Sequence, residues 1–550
     1  MNVKFLILVA ILLIAAGLRL FSLNQYPAGL NADEAAIGYN AYSLLQTGLD
    51  EYGESFPLSF KSFGDFKPGL YFYFAMPFVA TLGLNEWSVR LPAALLGIAT
   101  VFLVFLIGRR IFQSNAVGLY SAAILASSPW HIHFSRGGWE TNAATFFMTL
   151  GVFCFLLGLE KTRFLFWSLV SFLASMYTYQ SPRLIVPMLV FTIIALYSKK
   201  IFVQSRKIIL GKTRIWLIGG FAVLILLTIP IGLQFLDGSG GARFAGLSIF
   251  SDGGPASRVN QLRGEHMNQN GTIPEFLHNK LTAYGPSFLS HYLDHFTGNF
   301  LFINGDPLIR NKVPETGQFY IIESLFLVAG LIGLALTRIP DKKLLVAWIL
   351  IAPIAASITY QTPHALRALN MVVPLSLVMG YGVGVILGRC RRFWVLGRVG
   401  VVLITAVFLF EMVHYLESYY VHYPKRYPLS WEFGFSQMVP MLQSYQNNYQ
   451  KVVITDRYDQ PYILVLFYSK YDPRRYQPQA HLTERDKFNF GTIRNLDNIE
   501  FRSFTPEEVT KSPGVLFIGT NKDVGENANI IDRVNFPNGE PAFIFAEGGG

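Results

Sequence analysis

The sequence predicts a polytopic α-helical membrane protein, with about eleven transmembrane helices and a small extracytoplasmic α/β domain at its C-terminal end. Three observations carry that prediction. Apolar residues make up 52% of the 550-residue chain and charged residues only 15%, against about 25% charged in an average soluble domain. The apolar residues are bunched into uncharged segments near bilayer length, whereas residues 418–550 have an ordinary soluble composition. Finally, Lys and Arg cluster in every second connection between the apolar segments, which is the signature of membrane topology.

The spans fall at 4–22, 91–108, 115–130, 142–159, 164–180, 184–197, 215–235, 319–337, 344–360, 369–388 and 399–417. Each is near the ~20 residues with which a helix crosses hydrocarbon. The first, FLILVAILLIAAGL, lacks a small-residue cleavage site and continues into a polar loop, so it reads as a retained helix. Alternate connections carry Arg109 and Arg110; Lys161 and Arg163; Lys199, Lys200, Arg206, Lys207, Lys212 and Arg214; Arg338, Lys342 and Lys343; and Arg389, Arg391, Arg392 and Arg398. The positive-inside rule makes these connections and the N-terminus cytoplasmic, and residues 418–550 extracytoplasmic, in a multi-pass plasma-membrane protein. Residues 68–84 are apolar enough to span, but counting them would put Arg109 and Arg110 outside. They therefore read as a juxtamembrane or re-entrant helix, covered by protein or lining a cavity. The expected division is a membrane domain at 1–417, with outer loops 23–90 and 236–318, followed by the α/β domain at 418–550.

Charge and cysteines exclude other classes. The net charge of +10 comes from short basic clusters between apolar segments, which excludes a nucleic-acid-binding face. Cys154 lies in an apolar segment and Cys390 beside arginines, so no disulfide framework is implied.

The chemistry-bearing residues gather in the outer loops. The loop at 23–67 is acidic, with Asp33, Glu34, Asp50, Glu51, Glu54 and Asp65 against Lys61 and Lys67. Outer connections in a simple bundle need only a few residues, so a long one suggests a cap over a cavity at membrane level. Asp33 and Glu34 open a helical pattern that stops at Gly48. They either cap that helix and complement its dipole, or supply a base for an attacking hydroxyl. Lys67 either reaches out to lipid headgroups or places a point charge on a phosphate. In WHIHFSRGGWETN, Arg136 and Glu140 have the spacing of a helical pair. His131 and His133 share no helical face and lack a third ligand, so no metal or other cofactor is expected. His364 and Arg367 in YQTPHALRALN stand at the mouth of a span, where an arginine is a functional candidate and a good fork for phosphate oxygens. Tyr179, Gln180 and Arg183 in YTYQSPR repeat that pattern. The largest outer loop reads as amphipathic helices followed by a Gly-Asp-Pro turn, and Asn270-Gly271-Thr272 matches a glycosylation triplet.

RLFSLNQYPAGLNADEAAIGYNAYSLLQTGLDEYG, GDFKPGLYFYFAMPF and NEWSVRLPAALLG occur in series, followed by FSRGGWETN, HYLDHF, LFINGDPLIR and PHALRALNMVVP. Together they resemble the polyprenyl-phosphate-sugar-dependent glycosyltransferases of the C-type superfamily. The branch resembled is the bacterial one related to dolichyl-phosphate-mannose protein mannosyltransferases and aminoarabinose lipid A transferases. The resemblance covers nearly all of residues 1–417. It implies that Asp33 is the first-loop catalytic acidic residue, acting as the base, with Glu34 completing the pair, and that Lys67 contacts the lipid phosphate. It also implies a basic residue near the donor phosphate, which Arg367 matches. The aminoarabinose branch has a glutamate directly before the lysine, where this chain has Phe66 with Asp65 one position earlier. Around the same outer cavity, Asp65, His364, Arg136, Tyr179 and Arg183 complete the substrate-binding candidates. The implied reaction is inverting transfer of a hexosyl or pentosyl unit from a polyprenyl-phosphate monosaccharide to a hydroxyl of a lipid, glycan or protein acceptor.

In the C-terminal part, 451–455, 499–504, 514–520 and 542–547 read as strands and 461–471 as a helix. No nucleotide-binding glycine pattern or catalytic triad is present there, and an accessory role in acceptor binding is the expectation. The rival reading is a lipid or glycan transporter or flippase, but the sequence shows no internal repeat and its polar residues gather outside the spans.

Overall fold

The computed structural model describes residues 3–210, 214–236, 248–266, 271–390, 394–486 and 490–549. Lys212, Asn270, Arg391 and Arg392 lie outside that set. The contacts divide the chain into two compact units. One comprises Met1–Ala15, Ile98–His133 and Ala144–Met412; the other comprises Ala16–Gly97, Phe134–Ala143 and Val413–Gly550.

Each expected span coincides with helix. The main helices are Val3–Leu20, Glu86–Ile111, Asn115–Ser127, Glu140–Gly158, Arg163–Met176, Pro182–Leu210, Arg214–Leu236, Glu323–Leu336, Lys342–Ile351, Val372–Cys390 and Trp394–Glu417. Among the described residues, six helical stretches are long and apolar enough to cross a membrane by length and composition. The span expected at 344–360 is interrupted: its helix ends at Ile351, Pro353 follows, and a short turn resumes at Ile354–Ser357. Proline cannot donate to the helical ladder and crowds the carbonyl four residues back, which accounts for the break.

The first unit is held by close helix approach. Helices Glu323–Leu336 and Val372–Cys390 meet where a Cβ on Gly382 would stand 1.8 Å from the Phe326 carbonyl oxygen. Small residues substitute for a hydrophobic driving force where the surrounding solvent is itself apolar, because they let backbones touch.

α1 (Val3–Leu20) runs from the first unit into the second, where it leads into the first long loop segment. That segment forms α2 (Ala32–Thr47), a hairpin of β1 (Ser59–Ser62) and β2 (Asp65–Pro68), and α3 (Leu70–Leu82), an apolar helix of 13 residues. The C-terminal residues form a six-stranded sheet. Its strands are β3 (Lys451–Ile454), β4 (Asn495–Leu496), β5 (Ile499–Phe501), β6 (Val515–Gly519), β7 (Asn529–Asn535) and β8 (Pro541–Glu547), in spatial order β4-β5-β3-β6-β8-β7. β3 is central and parallel to both neighbours, with Val452 opposite Ile499 and Leu516. Its KVVI run is apolar on both faces because both are covered. β7 escaped the sequence reading: NIIDRVN is interrupted by Asp532 and Arg533, the charges that suit an exposed edge.

The first outer segment and the C-terminal residues share one core. Helix Pro461–Ser469 lies against α2, and the Tyr39 hydroxyl donates to the Tyr471 carbonyl at 3.1 Å. Gln477 Nε2 donates to Ser43 Oγ, Thr47 Oγ1 and the Asp50 carbonyl at 3.0–3.2 Å. A Cβ on Gly38 would stand 2.5 Å from the Phe467 ring and 2.7 Å from Val89 Cγ2. Gly38→Val is therefore predicted to overpack this junction and cost about 1–3 kcal/mol. Thermal unfolding of the detergent-solubilised protein checks it; an unchanged midpoint would contradict the packing described.

Candidate active site

The site begins with the start of α2. Asn31 is its N-cap, in an extended conformation, and accepts the Glu34 amide at 3.1 Å through its side chain. Glu34 Oε2 returns the contact by accepting the Asn31 backbone amide at 3.3 Å, which closes a capping box, and it also accepts from Asn31 Nδ2 at 3.0 Å. Successive helical residues point about 100° apart, so fixing Glu34 inward turns Asp33 out of the core. The Asp33 side chain is 30% exposed, while Glu34 is fully buried.

Glu34 sits in a saturated network. Arg90 Nε donates to Oε1 at 2.9 Å, and the Gly138 amide donates to the same oxygen at 2.7 Å. Arg90 also bonds Glu34 Oε2 and the carbonyls of Leu23, Pro27 and Gly29, so its five N–H groups all have acceptors. The sequence expectation paired Glu34 with Asp33 at the catalytic site; in the structure the Glu34 side chain is buried in this network. Its carboxylate is spent on holding the helix start.

Lys67 comes to Asp33 from the hairpin. β1 and β2 pair antiparallel with Phe60 opposite Lys67, and Phe60 stacks on Phe72 of α3 at 4.1 Å. The hairpin tip is held by the Gly491 amide, which donates to the Phe63 carbonyl at 2.9 Å, and by Arg485, which donates to the Gly64 carbonyl. Lys67, almost wholly buried, donates from Nζ to the Asp33 carboxylate and lies 5.6 Å from the centre of the Phe63 ring. Asp65 points back into its own turn, where Oδ1 accepts the Phe66 amide at 2.8 Å.

Arg136 has a different task from the one expected. The helix Pro129–Arg136 stops there and the next begins at Glu140, so the i,i+4 pairing with Glu140 has no continuous helix to form on. Its guanidinium, fully buried, donates to the carbonyls of Leu18, Phe21 and Tyr26 at 2.7–3.0 Å and lies 5.3 Å from the ring centres of Tyr419 and Tyr420. Arg136 thus clamps the chain leaving α1.

In the other unit, the segment bearing His364 and Arg367 is tied to the large outer loop by a residue the sequence reading passed over, Asp306. Its Oδ2 accepts the Ala365 amide at 2.6 Å and Asn311 Nδ2 at 3.1 Å, and Oδ1 accepts the Leu308 amide at 2.7 Å. Burial pushes the Asp306 carboxyl up to about 6, against the pull of those donors. The Gly-Asp-Pro turn was the available signal. His295 Nε2 accepts the His364 amide at 3.1 Å, and burial lowers that imidazole to about 4, so it is neutral. Arg367 donates to Thr359 Oγ1 at 2.7 Å, and its carbonyl accepts Ser181 Oγ of the Tyr179–Arg183 turn at 3.2 Å. Tyr179 is buried. Arg183 is spent on structure: it donates to the Met176 carbonyl and to Gln234 Oε1, which is 3.0 Å away. His133 Nε2 lies 2.8 Å from the Arg310 carbonyl. No three His, Cys, Asp or Glu side chains among the described residues converge in a way that suits a metal.

Helices of membrane length, a segment presenting a carboxylate beside an ammonium, and an α/β C-terminal part make up a fold that solved structures share. Residues 67–231 match the family model of dolichyl-phosphate-mannose-protein mannosyltransferases. ArnT from Cupriavidus metallidurans, solved with undecaprenyl phosphate, superposes with a TM-score of 0.54 at 12% identity, covering 98% of this chain and 97% of that one. The oligosaccharyltransferase of Archaeoglobus fulgidus gives 0.51 at 13% identity, covering 85% of this chain; the chain spans 64% of that protein's length. No curated protein matches the sequence.

Removing the Arg90 guanidinium by Arg90→Met leaves the Glu34 carboxylate buried without its cation. This substitution is predicted to destabilise the fold by about 3–5 kcal/mol, whereas Asp33→Asn, at a partly exposed position, leaves the unfolding midpoint near that of wild type. Equal midpoints for Arg90→Met and wild type would contradict the role assigned to the pair.

Proposed function

We propose that this protein is a multi-pass plasma-membrane glycosyltransferase. It moves a hexosyl or pentosyl unit from a polyprenyl-phosphate monosaccharide to a hydroxyl of a lipid, glycan or protein acceptor on the outer face. Asp33 takes the proton of the acceptor hydroxyl as its oxygen forms the new bond to the anomeric carbon. The bond from that carbon to the phosphate oxygen breaks, and its electron pair leaves with the polyprenyl phosphate. Attack opposite the leaving group inverts the anomeric centre. Lys67 stabilises the charge that gathers on the phosphate.

The observation that carries the reading is the contact between the Asp33 carboxylate and Lys67 Nζ. A nearly buried ammonium beside a partly exposed carboxylate suits a pair that must bind an anion and also accept a proton. The fold match to ArnT, solved with undecaprenyl phosphate, and to the archaeal oligosaccharyltransferase AglB, solved with a dolichol-phosphate and an inhibitory peptide, supports a lipid-phosphate donor. In this reading the N-terminus is cytoplasmic and residues 418–550 are extracytoplasmic. They brace α2, which suits a domain that holds the base while the acceptor approaches.

Transfer of labelled sugar from polyprenyl-phosphate donors in membrane vesicles tests the proposal. Asp33→Asn is predicted to lower the turnover number by about 10²–10⁴-fold. Lys67→Met is predicted to lower turnover and raise the donor KM. Absence of transfer by wild type from every such donor, or movement of the intact lipid-linked sugar across the bilayer, would overturn it.

A further inference from the structure

The loop at 236–318 contains helices that the reaction above leaves unused. They are α4 (Gly253–Gly264), α5 (Thr272–Leu277) and α6 (Lys280–Asp294), all in the first unit. α6 opens on a capping box of its own: Asn279 Oδ1 accepts the Thr282 amide at 3.1 Å, and Thr282 Oγ1 accepts the Asn279 amide at 3.0 Å. Its start, and so the direction in which each of its side chains points, is fixed locally.

The two sides of α6 differ. Tyr284 is buried, and its hydroxyl donates to the Asp252 carbonyl, at the start of α4, at 2.8 Å. α4 covers this side, and its own exposed residues include Arg258, Asn260 and Gln261, all polar. The opposite side of α6 presents Leu281, Leu289 and Leu293, which are 79%, 55% and 53% exposed. Successive helical positions are about 100° apart, which sets these leucines on one side and the charged residues of the helix, Lys280 and Asp294, off it. α5 adds Ile273, Phe276 and Leu277, and no described residue covers them. An uncovered apolar surface of this extent marks contact with a partner or a membrane.

Tyr292 decides between the two. Its hydroxyl donates to the Leu350 carbonyl at 2.8 Å. Leu350 belongs to the span expected at 344–360, shortly before the break at Pro353, and its side chain is 50% exposed. A carbonyl at that depth needs a donor from the protein, because lipid offers none. Tyr292 lies between Leu289 and Leu293 along α6, so the leucine face stands level with a residue on the lipid-facing surface of a span and continues that surface.

We propose that α5 and α6 lie in the outer leaflet of the bilayer, with Leu281, Leu289 and Leu293 toward the acyl chains and α4 on the aqueous side. The inference goes beyond the transfer reaction and rests only on the membrane placement within the functional reading. It also gives the segment around His364 its support. Thr362 Oγ1 donates to the His291 carbonyl at 3.2 Å, and the His364 amide donates to His295 Nε2 at 3.1 Å, so a helix seated in lipid carries that segment.

The test is spin-label accessibility on the full chain in lipid nanodiscs, in a Cys154→Ser, Cys390→Ser background. Labels are placed singly through Leu281→Cys, Leu289→Cys and Leu293→Cys, with Arg258→Cys as the aqueous reference. Phe191→Cys is the lipid reference, at a 73% exposed position of the span expected at 184–197. The probes are oxygen, which partitions into lipid, and a water-soluble nickel chelate. The leucine positions are expected to collide with oxygen as Phe191→Cys does, to lose collision with the chelate, and to read a depth of about 5–10 Å into the boundary of headgroups and acyl chains. Free access of the chelate to the leucine positions, or shielding from both probes by a partner or a second copy of the chain, would overturn the inference. The positions report independently, so a variant that fails to fold leaves the other two to decide. Chelate access at Phe191→Cys would instead remove the membrane placement itself, which separates failure of the functional reading from failure of this one.

Discussion

The buried contact between Arg90 and Glu34 is the constraint on which the outer part of this protein depends. An arginine inside a fold is tolerable only when every donor finds an acceptor, and here the acceptors are one carboxylate and three carbonyls of residues 23–29. One side chain thus ties the helix Glu86–Ile111 to the chain leaving α1 and to the first turn of α2. The orientation of Asp33 follows from that anchoring. A residue next to Glu34 on a helix has no freedom to turn inward once Glu34 is locked there.

A second consequence concerns the C-terminal residues. They do not stand apart as a separate accessory module. Helix Pro461–Ser469 and Gln477 pack on α2, and residues 485–491 hold the tip of the hairpin that presents Lys67. Asp33 and Lys67 are therefore both placed by contacts with chain more than four hundred residues further along the sequence. Residues placed this way form a rigid pair, as a site that must hold charge without solvent reorganisation requires.

Much of this was legible in the sequence. Apolar run length gave the helices, with Pro353 the source of the one broken span. Alternation gave the central strands. The helix start at Asp33 was also visible, because the Asn-Ala-Asp-Glu pattern is a capping signal. The roles of Glu34 and Arg136 were not, since partners such as the carbonyls of Leu18 and Gly29 are backbone groups invisible to residue patterns. Asp306 was hidden for the same reason: its carboxylate serves amides of a segment about sixty residues away, and only the Gly-Asp-Pro turn hinted at it. The edge strand β7 was lost because its charged residues mask its alternation.

In the proposed reaction Asp33 and the donor phosphate share Lys67 in turn. Equilibrium binding of polyprenyl phosphate to the purified protein in lipid nanodiscs, compared among wild type, Asp33→Asn and Lys67→Met, tests that most directly. With Asp33 neutralised the ammonium loses its resting partner, so the account predicts that Asp33→Asn binds the lipid phosphate at least as tightly as wild type while Lys67→Met binds it more weakly. Weakening of binding by Asp33→Asn to the same extent as by Lys67→Met would contradict it.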